Sequence, residues 1–217
     1  MTKNVPPTKD EIKRVRNIFK KVAPKPTLDK DCDWLRVQRP SRALLICLGS
    51  GPWKIGRRTS VQAKALEILG SRDLDELRPR EIEAMFPLEW QRSYLKAFVK
   101  FSKKQTAFGF DKCWHTCMQD EDWREEQFNL IVLLTLGDVK VPKVISMFAR
   151  DYCCIDSFPQ DRHVRRFLIE NKLPTNEKKL IELMNAARLN TRVYARSLFT
   201  SKSSNPQHQP SAKDWML

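Results

Sequence analysis

The sequence predicts an all-α protein. Apolar residues return every three or four positions in one segment after another, which is the spacing of a helix face. No run of strand length alternates apolar with polar residues, and no Asn-Gly pair marks a hairpin. Glycine is scarce at 6 residues in 217, against 13 prolines. That balance argues against a glycine-rich nucleotide-binding fold.

Residues 1 to 8 are polar and proline-containing and read as a flexible tail. Asp10 to Val22 follows as a helix, with Ile12, Val15, Ile18, Phe19 and Val22 on one side. The stretch PKPTLDKD breaks it. Arg42 to Leu48 is apolar enough for a buried helix, one that could continue past a kink at Gly49–Gly51. Ser60 to Leu69 is a helix with Val61, Ala65, Leu66 and Leu69 inward, and Ser71 to Leu77 is a short element. Pro79 and Glu81 open a helix that runs to Met85, with proline in the first turn. Trp90 to Lys103 turns Tyr94, Ala97, Phe98 and Phe101 inward. Residues 104 to 121 carry the weakest pattern. Glu121 to Leu136 is a strongly apolar helix stopped by Gly137. Val144 to Tyr152, Asp161 to Glu170, Asn176 to Ala187 and Arg188 to Thr200 complete the series. Residues 201 to 217 are polar and read as a second tail.

Composition narrows the function. Apolar residues make up 41% and charged residues 30%, which is globular rather than disordered. Lys plus Arg number 40 against 26 Asp plus Glu, a formal net charge of +14. A cationic chain of this kind most often meets a polyanion, nucleic acid above all. The first residues contain no apolar run of a secretory signal, and the longest apolar stretches are too short to span a bilayer. The expected setting is therefore intracellular, in cytoplasm or nucleoid or nucleus, with no membrane partner. The six cysteines then read as reduced thiols. Cys113, His115 and Cys117 lie close together but lack zinc spacing and a second ligand pair, so no metal is expected.

Two segments can carry chemistry. The first is LTLGDVKVPKV, residues 134 to 144, between two apolar helical runs. A turn of this kind can offer Gly137 and Val139 backbone N–H groups to a phosphate, with Lys140 and Lys143 adding positive charge. It reads equally as a plain helical hairpin with solvated lysines. The second is SFPQDRHVRRFL, residues 157 to 168. Asp161 precedes a helical run and suits an N-cap. It also stands beside His163, Arg165 and Arg166, where a carboxylate could face positive charge developing on a sugar while the arginines meet phosphates.

Together these segments resemble the helix-hairpin-helix superfamily of base-excision DNA glycosylases, the endonuclease-three-like group. That family carries a hairpin of the type L-P-G-V-G-x-K-T-A and then V-D-T-H-V-x-R. Here Leu136-Gly137-Asp138-Val139 precedes Lys143-Val144, and Asp161-Arg162-His163-Val164-Arg165-Arg166 follows. The Lys143-to-Asp161 spacing resembles that of the bifunctional members. Arg57-Arg58-Thr59-Ser60 resembles a segment near the DNA-facing cleft of thymine-mismatch glycosylases, and WQRSYLKAF a family helix start. The resemblance spans about residues 42 to 172. The hairpin is imperfect: its second glycine is missing and Asp138 brings an acid to the turn. An ungapped register puts Pro142 at the lysine position, and a one-residue insertion restores Lys143.

The resemblance implies two helical subdomains flanking a basic cleft. The one carrying the hairpin and the aspartate would be residues 9–50 plus 131–200, and the other 51–130. It implies a cofactor-free, monomeric DNA glycosylase with associated abasic-site lyase activity, acting on a damaged or mismatched base in duplex DNA. Asp161 and Lys143 would be catalytic, with Lys140 the other candidate nucleophile. Gly137, Val139, Lys140, Arg57, Arg58, Gln62, His163, Arg165 and Arg166 would contact DNA. Trp53, Phe110 and Trp114 are candidates for an aromatic pocket wall, and each reads equally as core. The alternatives are a monofunctional glycosylase using water, a non-catalytic helix-hairpin-helix DNA-binding protein, and a protein-interaction module with an incidental positive surface.

Overall fold

The computed structural model describes residues 6–22, 38–51, 55–105, 110–112, 143–153 and 156–202. Every regular element among them is helical. In chain order these are α1 (Lys9–Val22), α2 (Pro40–Gly49), α3 (Ile55–Leu69), a 3-10 turn (Leu74–Glu76), α4 (Pro79–Met85), α5 (Glu89–Gln105), α6 (Lys143–Asp151), α7 (Arg162–Glu170), α8 (Glu177–Ala186) and α9 (Thr191–Lys202). The all-α class is therefore observed. The expected helix over 121 to 136 lies outside the described residues.

The chain divides into two compact units, Met1–Asp31 with Asp156–Gln209, and Cys32–Ile155 with Pro210–Leu217. These boundaries differ from the grouping expected from the sequence. Helices α2 and α6 had been assigned with the N- and C-terminal helices. They instead share a core with α3 and α5, through Leu44, Leu48, Phe98 and Phe148.

The first unit joins α1 to α7, α8 and α9. Thr8 and Glu11 start α1 with a capping box: Thr8 N donates to Glu11 Oε2 at 2.8 Å and Glu11 N to Thr8 Oγ1 at 3.3 Å. Asp10 and Glu11 in its first turn and Lys20 and Lys21 in its last suit the helix dipole. Phe19 is the centre of the core, edge-on to Phe158, Phe167 and Tyr194 at centroid distances of 6.0, 6.2 and 5.7 Å. Edge-to-face contacts at this range add to the burial itself. Helices α7 and α8 each end on a residue in the left-handed region, Lys172 (φ 52) and Arg188 (φ 55). Leu173 N then reaches Leu168 O at 2.8 Å, and Leu189 N reaches Met184 O at 3.0 Å. Two arginines of α1 bind the same corners. Arg14 Nη2 donates to Lys172 O at 3.0 Å, and Arg16 donates through Nε and Nη2 to Ala187 O at 3.1 and 3.0 Å.

The second unit is built around α2. Residues Ala43 to Gly49 are all buried, so this helix is apolar on every side and has no solvated face. Its ends need partners inside the protein. At the start, Asp111 accepts from Ser41 N at 2.7 Å and Ser41 Oγ at 2.9 Å. At the end, Gln62 Nε2 donates to Ile46 O and Gln91 Nε2 to Leu48 O, both at 2.7 Å. Helix α2 stops at Gly49 rather than continuing past the kink. A Cβ at Gly49 would stand 2.5 Å from Gln62 Cγ, so the glycine permits close approach of α3.

Helix α3 begins at Ile55 rather than Ser60 and closes on Gly70 at φ +60. Arg39 binds the carbonyls beyond it, Ser71 O at 2.8 Å and Gly70 O and Arg72 O at 3.2 Å. Helix α4 starts on Pro79, with Glu81 accepting from Arg78 N at 2.8 Å. In α6, Arg150 and Asp151 form a buried two-point ion pair, with Nε to Oδ1 at 2.5 Å and Nη2 to Oδ2 at 2.7 Å.

Candidate functional site

The segment leading into α7 is pinned from both sides. Ser157 Oγ and Phe158 N both donate to Glu177 Oε1 of α8 at 2.7 Å, and the Phe158 ring fills the core beneath. This holds the chain extended up to Asp161, whose φ of −86° and ψ of −179° are those of an N-cap. Asp161 Oδ1 accepts from His163 N at 2.9 Å and Val164 N at 2.8 Å. The carboxylate thus sits half-exposed at a helix N-terminus in a fixed orientation.

The next turn separates cleanly into two faces. Val164, Phe167 and Leu168 enter the core, while Arg162, His163, Arg165 and Arg166 are exposed. Arg162 Nε donates to His163 Nε2 at 3.2 Å, so that ring nitrogen is the acceptor. No acid stands in the first turn of α7, leaving Asp161 to offset these cations at a dipole end that disfavours them. Further along the same helix Ile169 is 59% exposed. Sequence reasoning did not single out Gln160. Its Oε1 is shielded from solvent without a hydrogen-bond partner among the described residues.

Lys143 is the first residue of α6 and is half-exposed. It belongs to the second unit, whereas Asp161, His163, Arg165 and Arg166 belong to the first. Gly137, Val139 and Lys140 lie outside the described residues, as do Trp53, Trp114 and the Cys113-His115-Cys117 group.

Arg57, Arg58 and Gln62, expected together on a DNA-facing segment, do not share a face of α3. Arg57 is exposed and lines an outer groove with Ser60, Val61 and Lys64. Arg58 is half-buried, and burial pulls its guanidinium below the ordinary arginine value. Its Nε is shielded without a hydrogen-bond partner among the described residues. Gln62 is 1% exposed and holds the end of α2, donating also to Ser50 Oγ at 3.0 Å. Its position corrects the expectation of a surface contact: an amide committed to Ile46 and Ser50 inside the packing has no surface to offer a duplex. Phe110 is fully buried against Phe98 at 6.2 Å, in the core rather than in a pocket wall.

Among the described residues, no group of three His, Cys, Asp or Glu side chains is placed to hold a metal. No described helix is long and apolar enough to cross a membrane. No family model, no curated protein and no solved structure matches the chain.

Proposed function

We propose that the protein is a DNA glycosylase with associated abasic-site lyase activity, acting on a damaged or mismatched base in duplex DNA. The observation that carries this reading is the N-terminus of α7. A half-exposed carboxylate, Asp161, is held there by two backbone N–H groups beside the exposed His163, Arg165 and Arg166. Cations on an exposed face suit phosphates, which position a duplex without reading its sequence. The net charge of +14 supplies the long-range attraction.

The reaction requires the target base to leave the stack. As the glycosidic C–N bond breaks, its electron pair leaves with the base, which takes up a proton. Positive charge grows on the sugar, and the Asp161 carboxylate stabilises it. The Lys143 amine, neutral when it attacks, bonds to the sugar carbon and forms an imine with loss of its protons and opening of the ring. Loss of a proton from the neighbouring sugar carbon then expels the 3′ phosphate and cuts the strand. If Lys140 sits where Lys143 is assigned, it takes the same role. If neither reaches the sugar, water attacks instead and the abasic site stays uncut.

A second reading is a non-catalytic helical DNA-binding protein that keeps a helix-hairpin-helix element and a basic cleft. The N-cap bonds favour it, since capping α7 is by itself sufficient reason for an aspartate at 161. A panel of duplexes, each carrying one lesion and analysed with and without alkali, separates the two. Excision of any base, lost in Asp161→Asn, supports the glycosylase. Binding with no excision across the panel supports the second reading.

A further inference from the structure

The outer groove on the second unit belongs to no step of the reaction above. It is an open depression of about 400 Å³ between α3 and the end of α4. Ser60 and Val61 form one wall, and Ala84 and Pro87 the other, over Met85 and Phe86. Arg57 and Lys64 stand at its two ends on the same face of α3, two turns apart, which is about 10 Å along the helix. Both are exposed.

The far wall is preformed. Arg92 Nη1 donates to Phe86 O at 3.0 Å and Pro87 O at 3.2 Å, and its Nε meets Glu83 Oε2 at 2.9 Å. Lys96 also pairs with Glu83. The one acid lining the groove is therefore matched by two cations, and the rim stays positive through Arg57 and Lys64.

We infer that this groove docks a short acidic segment of a partner protein, carrying a bulky apolar side chain between two carboxylates. In an extended peptide, residues i, i+2 and i+4 share one face, and i to i+4 spans about 13 Å. An acid, an apolar residue and an acid at those positions bring two carboxylates within reach of the flexible Arg57 and Lys64 side chains. The central side chain enters the depression between Val61 and Ala84. The carbon-lined walls distinguish this occupant from a nucleic-acid backbone, which would offer phosphates to the rim and leave the depression unfilled. Carboxylates on the partner match the rim in charge, and an apolar anchor in a pocket within a polar rim is the usual anatomy of such contacts.

The test uses the full-length chain and a labelled, end-capped peptide, glutamate–glycine–tryptophan–glycine–glutamate flanked by serines. Binding is followed by fluorescence anisotropy. The expected result is saturable binding that weakens at least fivefold when both glutamates become glutamines. It should weaken by a similar factor in Lys64→Glu, which reverses the rim, and in Ala84→Trp, which fills the groove. Circular dichroism checks that both variants fold. Lys64 is exposed, so its variant remains informative should the tryptophan disturb α4. Absence of saturation, equal binding of the glutamine peptide, or wild-type affinity in Lys64→Glu overturns the proposal. So does displacement of the peptide by a 12-base-pair undamaged duplex whose own binding falls in Lys64→Glu, because the groove then belongs to nucleic acid.

Discussion

The carboxylate of Asp73 accepts the backbone N–H of Asp111 at 2.8 Å, while the carboxylate of Asp111 caps the start of α2. Asp73 also accepts from Phe110 N at 3.1 Å and stands at the N-cap of the 3-10 turn. One acid thus holds the backbone of another, and the second closes the end of a helix with no solvated face. Arg39 Nη1 approaches Asp111 at 3.5 Å. Burial pushes the Asp111 carboxyl above its ordinary 3.8, against the lowering hydrogen bonds from Ser41, and the charge of Asp73 raises it further.

This arrangement has a definite pH sign. A carboxyl raised in the folded state binds its proton more tightly there than in the unfolded chain. Its contribution to stability is fully present below 3.8 and declines as pH rises through the raised value. Glu11, Glu81 and Glu83 run the other way. Hydrogen bonds with Thr8, Arg78 and Lys96, respectively, are the main causes that lower them, so their contributions are present above 4.5 and fade on acidification. Asp111→Asn should therefore gain on wild type as pH rises from 4 to 7. Thermal midpoints of the two proteins at both pH values check it, and a difference independent of pH would contradict it.

Asp161→Asn should bind duplex as wild type does and lose base excision. Asparagine caps a helix as well as aspartate, so the fold is kept while the charge is removed. Loss of a stabiliser of developing charge costs about 3 kcal/mol in the transition state, roughly a hundredfold in rate. Single-turnover excision measures it. Asp161→Ala should in addition lower stability by about 1 kcal/mol through the lost cap. Full excision by the asparagine variant would remove Asp161 from the mechanism.

Arg165→Ala and Arg166→Ala should weaken damaged and undamaged duplex alike. Phosphate contacts carry no base identity, and each one removed lowers the salt slope of binding by about one unit. Lys140→Ala should behave in the same way. Titrations from low to moderate salt are sufficient. An unchanged slope would return these residues to ordinary solvated surface.

Borohydride trapping on wild type, Lys143→Gln and Lys140→Gln identifies the nucleophile. An imine is reduced to a stable protein–DNA adduct, and water leaves none. The adduct should vanish in Lys143→Gln alone. Loss only in Lys140→Gln moves the role to that residue. Excision without any adduct and without strand cleavage makes the enzyme monofunctional.

Gly49→Ala should destabilise the second unit by about 1–3 kcal/mol, the range for forced overpacking. The new Cβ would meet Gln62 Cγ at 2.5 Å, and Gln62 cannot swing away without releasing Ile46 O and Ser50 Oγ. Denaturant midpoints give the value. An unaffected midpoint would mean that α2 and α3 separate freely at this point.

Helix existence was legible because periodic apolar residues report a buried face whatever it packs against. The register of Val15 and Phe19 in α1 and of Phe167 and Leu168 in α7 follows directly from spacing. Asp161 as a cap was legible for the same local reason. Partnership between helices was not. Nothing in local pattern says that α6 packs with α2 and α3 rather than with α7, the next helix after it. The roles of Gln62 and Gln91 were equally hidden, because a glutamine on a helix reads as surface until the buried carbonyl it serves is known. Arg57 and Arg58 show the remaining limit. Adjacent residues on a helix lie about 100° apart, so a shared motif did not give them a shared environment.

Arg14 and Arg16 meet carbonyls that lie 158 and 171 positions further along the chain. At a synthesis rate of about 5–20 residues per second, α1 leaves the ribosome roughly 10–30 s before the corners it closes are made. The second unit, encoded in between, can complete its core during that interval. Throughout this time Phe19 and Val15 have no permanent cover, so α1 is the stretch of nascent chain that most needs a chaperone. A stalled or truncated product ending before residue 188 would carry a finished inner unit and an orphaned leading helix, and that helix is where quality-control proteases should begin.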